Sequence, residues 1–135
     1  MKERPSQRIV DQRVRNRIME AVLTLAEGDK GVRAVGPSEY FEMFYDFIPH
    51  HRDGTMPPNS ALTQEERDLL ADVRANLDQA CDATPGIMDA EALVATGWPA
   101  RVQPVAKRAL AAMMKRGRFD EEREEDMPSA TNLWP

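Results

Sequence analysis

Apolar residues recur at steps of three and four near the start of the chain: Ile9/Val10, Val14, Ile18, Ala21/Val22 and Leu25. That period places them on one face of a helix. Ser6 is positioned to cap its start and Gly28 to stop it. On the opposite face, Asp11 with Arg15 and Arg17 with Glu20 are spaced to pair across a helical turn. A second helix is predicted over "GPSEYFEMFYDFIP", opened by Pro37 or Ser38 and closed by Pro49. Tyr40, Phe41, Phe44, Tyr45, Phe47 and Ile48 leave it a narrow polar strip of Glu39, Glu42 and Asp46, so it is expected to lie between other helices.

The third helix, "LTQEERDLLADVRANLDQAC", has the clearest signature. Thr63 with Glu66 makes a capping box, and Glu65 and Glu66 sit in the first turn, where the helix dipole favours them. Its buried stripe is Leu69/Leu70, Val73, Leu77 and Ala80/Cys81. A short helix follows over "MDAEALVATGWP", capped by Asp89 and stopped at Gly97. The last, "QPVAKRALAAMMKRG", has Pro104 near its first turn and Gly117 at its end. Its apolar rows are Val102, Ala106, Leu110 and Val105, Ala109, Met113. Residues 49–62, with three prolines and an Asp-Gly, read as a loop. Residues 118–135 have neither a helical nor a strand period.

The expected fold is therefore all-α: a small orthogonal bundle of about five helices in a single domain, residues 1–117. An acidic tail, residues 118–135, follows it, disordered or loosely docked, with Leu133 and Trp134 as a terminal apolar anchor. A chain of 135 residues suits one domain. The single cysteine, Cys81, excludes an intramolecular disulfide and a cysteine-rich zinc site, and a cytoplasmic location is expected. "MKERPSQR" has no apolar stretch after it and is not a signal peptide. No apolar run approaches the roughly 18 residues of a membrane span, so no membrane partner is expected.

Net charge is −5, unevenly spread. From Ala92 to Phe119 there are six Lys/Arg and no acid, whereas "DEEREED" at 120–126 carries six acids and one Arg. The tail could fold back on the basic stretch and compete there with an anionic ligand. The segment "DAEALVATGWPARVQPVAKRALAAMMKRGRF" is helix, glycine turn, basic helix, and in that order it resembles helix-turn-helix modules. The resemblance implies DNA binding, with Arg101, Lys107, Arg108, Lys115, Arg116 and Arg118 supplying phosphate contacts. It departs from the pattern at Leu93, where the tight helix contact needs a small residue, at Pro104 inside the second helix, and at the acids that follow.

Catalytic signatures are absent: no Gly-x-Ser-x-Gly elbow and no phosphate-cradling glycine loop. Cys81 lies on the apolar stripe and reads as a small hydrophobe. Asp46, His50, His51 and Asp53 carry oxygen and nitrogen donors and are the candidate metal ligands. They show no helical His-x-x-x-His or Glu-x-x-His spacing, and Pro49 breaks the helix before the histidines. No cofactor is expected. The aromatic block reads first as core. Tyr40, Phe44, Tyr45 and Trp134 are the candidate partner-binding residues, toward another protein or a second copy in a homodimer. The favoured expectation is a non-enzymatic helical interaction or regulatory protein. DNA binding through residues 89–118 is the alternative, and a metal or enzymatic site at 46–53 the third.

Overall fold

The structure is a computed structural model that describes residues 4–129. Six α-helices follow one another: α1 (Gln7–Ala26), α2 (Asp29–Val35), α3 (Pro37–Tyr45), α4 (Gln64–Ala83), α5 (Ala90–Ala95) and α6 (Trp98–Arg116). Among the described residues the fold is all-helical, with one helix more than expected. The extra one is α2. It begins immediately past the stop at Gly28, whose positive φ of 60° turns the chain back on α1. Gly31 then lets the two helices touch: a Cβ there would lie 2.1 Å from the Thr24 carbonyl oxygen.

The predicted caps form. Ser6 Oγ accepts from the Ile9 N–H, and Asp89 accepts from the Ala92 N–H. Thr63 and Glu66 close the reciprocal capping box. The aromatic helix ends earlier than expected, at Tyr45, and a turn carries the chain on to Ile48 and Pro49.

The core lies where α6 packs against α1 and α4, with α3 laid against α1. Met19, Val22, Leu25, Leu70, Val73, Leu77, Val102, Ala106, Ala109 and Met113 are essentially inaccessible there. Burying one such large side chain contributes about 1.5–3 kcal/mol. Among the described residues, no helix is long and apolar enough to cross a membrane.

α1 is buried in two chemically different halves. Its C-terminal half covers apolar side chains. Its N-terminal half covers Asp11, Gln12, Arg15 and Asn16, all under 8% exposed. Such groups must find partners, because an unpaired buried charge is expensive. Arg15 does not pair with Asp11, the partner its spacing suggests. Asp11 instead accepts from the Ser60 N–H and hydroxyl. Arg15 reaches across the core to Glu66, at 2.8 Å, and donates to the Gly117 and Met113 carbonyls at the C-terminus of α6. Those carbonyls are the negative end of the α6 dipole, so a guanidinium suits them. Arg116 meets Glu66 from the other side, at 2.8 Å. Arg17 pairs with Glu20 as expected, at 3.0 Å.

The segment after α6 has no helix, in line with its lack of period. It is nevertheless fastened to α1, not to the basic face of α6. Gln12 donates to the Asp120 and Arg123 carbonyls and accepts from the Glu125 N–H. Arg8 donates to the Glu125 carbonyl, Arg13 to that of Glu121, and Asn16 exchanges two hydrogen bonds with the Phe119 backbone. Phe119 is 2% exposed, with the guanidiniums of Arg8, Arg15 and Arg116 all within 5.6 Å of its ring centroid. Residues 117–126 thus form a strap, held by α1 largely through main-chain atoms, with Arg17–Glu121 and Arg13–Glu122 side-chain pairs beside them. Leu133 and Trp134 lie outside the described residues.

Candidate functional site

The two histidines leave α3 through the Ile48–Pro49 turn and arrive beside the C-terminal turns of α4. The capping box starts α4 at Thr63, so Asp78 and Asp82 stand one turn apart on the face that meets the loop. Tyr45, the last residue of α3, supplies a phenol to the same place.

Asp78 is the hub. Its carboxylate is 5% exposed and accepts from Tyr45 Oη at 2.7 Å, from the His51 N–H at 3.2 Å, and from His51 Nδ1–H at 2.7 Å. Burial alone would raise its pKa, but the bonds from Tyr45 and His51 outweigh burial and hold it below the usual value. Asp78 is therefore an anion near neutral pH. Burial, then the bond to Asp78 and its charge, raise the Tyr45 phenol above its ordinary range, so it remains a donor.

His50 is buried and His51 exposed, and their rings stack with centroids 4.5 Å apart. The Arg52 N–H donates to His50 Nδ1 at 3.2 Å, which assigns the ring proton to Nε2. That proton is donated to Asp82 Oδ1 at 2.9 Å, and Asp78 Oδ1 lies 3.9 Å away. Arg52 also pairs with Asp82, at 3.4 Å. Among the described residues, His50, His51 and Asp78 are the group of three that offers metal-ligand atoms close together, all within 4.8 Å of one another.

The structure thus joins the two predicted histidines, but to different acids. Asp46 and Asp53, their neighbours in sequence, are exposed; the Asp53 N–H donates to the His50 carbonyl, but the imidazoles bond to the carboxylates of Asp78 and Asp82 instead. Asp78 and Asp82 were missed because the pairing spans 27 and 32 residues. The available signal was their spacing of four on the polar side of α4.

The other candidates separate in the same way. Tyr40 and Phe44 are each 1% exposed and belong to the core, and among the described residues the buried Tyr40 hydroxyl has no hydrogen-bond partner. The large apolar side chains that are exposed, among the described residues, are Met88 and Met127; within residues 40–48, Phe41, Met43, Tyr45 and Phe47 are partly buried against the core. Tyr45 is half-buried and engaged by Asp78. Trp134 lies outside the described residues. Cys81 is half-buried, and burial pushes its thiol pKa up, which suits an unreactive residue.

Of the six cations proposed for phosphate contacts, two are committed inside the fold. Arg116 holds Glu66 and the Ala61 carbonyl, and Arg118 meets Glu20 at 2.9 Å. Arg101, Lys107, Arg108 and Lys115 are exposed on α6, with Arg101 lying over the Trp98 ring at 4.0 Å. The helix, glycine turn and helix at 90–116 form in the expected order. The first of them has only six residues.

No protein-family model matches the chain, and no curated protein or solved structure matches it.

Proposed function

We propose that this chain is a non-enzymatic helical interaction protein, and that the outward face of α6 receives an acidic helical segment of a partner protein. One observation carries this reading. Arg101, Lys107, Arg108 and Lys115 form an exposed cationic face without a neighbouring acid on the same helix, while Arg15, Arg17, Arg33 and Arg116 are paired with carboxylates.

Positions 101, 108 and 115 recur every seven residues and so lie along one stripe, about 10.5 Å apart at 1.5 Å rise per residue. Pro104 and Ala111 stand between them. Small side chains between long cations give a shallow surface that a second helix with acids at the same spacing fits. A net charge of −5 and the acidic strap oppose long-range attraction to nucleic acid. The helix–turn–helix order at 90–116 favours DNA as the second reading, with α6 as the groove helix. The brevity of α5 and the burial of α6 against α1 and α4 weigh against it.

The test is binding by fluorescence anisotropy to two labelled probes, at about 50 and 200 mM salt. One is a helical peptide with glutamates seven residues apart, and the other is random duplex DNA. The expected result is salt-sensitive peptide binding, lost in the Arg101→Glu/Arg108→Glu/Lys115→Glu variant, with no binding of DNA. Salt-sensitive binding of DNA alone moves the reading to DNA. Peptide binding that survives charge reversal rejects this face as the contact.

A further inference from the structure

We propose that His50, His51, Asp78 and Asp82 form a binding site for one divalent transition-metal ion of the zinc class. This rests on a different part of the molecule from the α6 face and is independent of it.

The donor atoms are His50 Nε2, His51 Nδ1, an Asp78 carboxylate oxygen and Asp82 Oδ1. Around a tetrahedral zinc ion with bonds of about 2.0–2.1 Å, neighbouring ligand atoms lie roughly 3.3 Å apart. His51 Nδ1 lies 2.7 Å from Asp78 Oδ2, and one donor atom from each of His50, His51 and Asp78 lies within 4.8 Å of the others. Asp82 Oδ1 stands outside that group of three but 2.9 Å from His50 Nε2, and a movement of its half-exposed side chain would complete the set. Two carboxylates balance the charge of a divalent ion. Two imidazole nitrogens select zinc, cobalt, nickel or copper over magnesium and calcium, which prefer oxygen.

The surroundings fit as well. The Tyr45 hydroxyl holds Asp78 Oδ1, which leaves Oδ2 directed at His51. Outer bonds of this kind orient a ligating carboxylate. His51 is 61% exposed and Asp82 45%, so an ion has a route in from water. The two α4 ligands stand one turn apart on a helix, and the histidines lie on the turn at 50–53.

Binding relocates two protons and loses none when both histidines are neutral. The metal takes the place of the proton that His51 Nδ1 gives to Asp78, and that ring's proton moves to exposed Nε2. It likewise replaces the proton that His50 Nε2 gives to Asp82, and the His50 proton moves to Nδ1. Nδ1 now accepts from the Arg52 N–H. Two donors cannot face each other, so loading turns that N–H away. Residues 50–53 lie in a turn, and Arg52 and Asp53 are exposed, so the N–H can turn to water.

The test is titration of the intact chain with zinc by calorimetry, and with cobalt by its visible bands, which are intense for tetrahedral coordination. The expected result is one ion per chain. His51→Ala and Asp82→Asn, both partly exposed positions, should each weaken binding by on the order of 100-fold. Tyr45→Phe should weaken it by about 10-fold or more. Asp53→Asn should leave it unchanged. The Arg52 amide resonance should shift as the wild type loads, and in His51→Ala only at about 100-fold higher zinc. Circular dichroism checks that each variant is folded. Absence of uptake by the wild type, or affinity unchanged in folded His51→Ala or Asp82→Asn, overturns the site.

Discussion

Two of the polar clusters in the molecule differ in how they end. Around Glu66, charges from α1, α4 and α6 meet in the interior, and the remaining donors of Arg15 are used on main-chain carbonyls and on Met19. Around Asp78, the cluster opens to water through His51 and Asp82. The first is closed and serves the fold. The second leaves ring nitrogens and carboxylate oxygens that can exchange a hydrogen-bonded proton for another ligand. A buried ion pair is weak evidence for stability against an apolar replacement, but removing one partner strands the other.

The largest effect should come from breaking the closed cluster. Glu66→Gln leaves two guanidiniums facing a neutral amide and should cost about 3–5 kcal/mol, read from urea unfolding at neutral pH. Gln12→Ala comes next. It removes the side chain that binds three backbone groups of the strap and should cost about 1–3 kcal/mol. Hydrogen exchange at the Glu125 amide should accelerate with it, since Gln12 Oε1 is the acceptor of that N–H.

Acid should erode both clusters from the same side. Burial raises the Glu66 pKa, but Arg116 and Arg15 outweigh it and hold the folded value below the ordinary 4.5. A lowered folded pKa means that the contribution is fully present above pH 4.5. It is lost as pH falls through the folded value. Asp78 behaves alike below its ordinary 3.8. Unfolding midpoints measured from pH 6 down to pH 3 should decline in the wild type and decline less in Glu66→Gln. The smallest effect is expected at the α6 stripe. Arg108→Ala should change stability by no more than about 0.5 kcal/mol, because it touches no packed group.

Helices with their own caps and stripes were legible in the sequence. Ser6, the Thr63–Glu66 box and Asp89 signal locally, and each caps where expected. α2 was not legible, because Gly28 ends one helix and begins the next. The strap was not legible either, since α1 binds it largely through carbonyls and amides, which every residue carries alike, and the pairs Arg17–Glu121 and Arg13–Glu122 span more than 100 residues. In the candidate site, the histidines were visible as residues but their acids were not. Local reading favours Asp46 and Asp53, while the fold brings up Asp78 and Asp82 from a helix that begins after the loop. The Glu66 box was read as a cap, yet the same carboxylate also neutralises Arg15 and Arg116.

The separateness of the two clusters is tested most directly by thermal unfolding with and without zinc, in the wild type, Glu66→Gln and His51→Ala. Zinc at a hundredfold excess over its Kd should stabilise the wild type by about 2.7 kcal/mol. Glu66→Gln should melt earlier yet gain the same increment, and His51→Ala, its Kd about 100-fold weaker, should gain less than about 0.5 kcal/mol. An equal gain in His51→Ala, or a gain that vanishes in Glu66→Gln, would contradict the division of the molecule into a closed cluster for folding and an open one for binding.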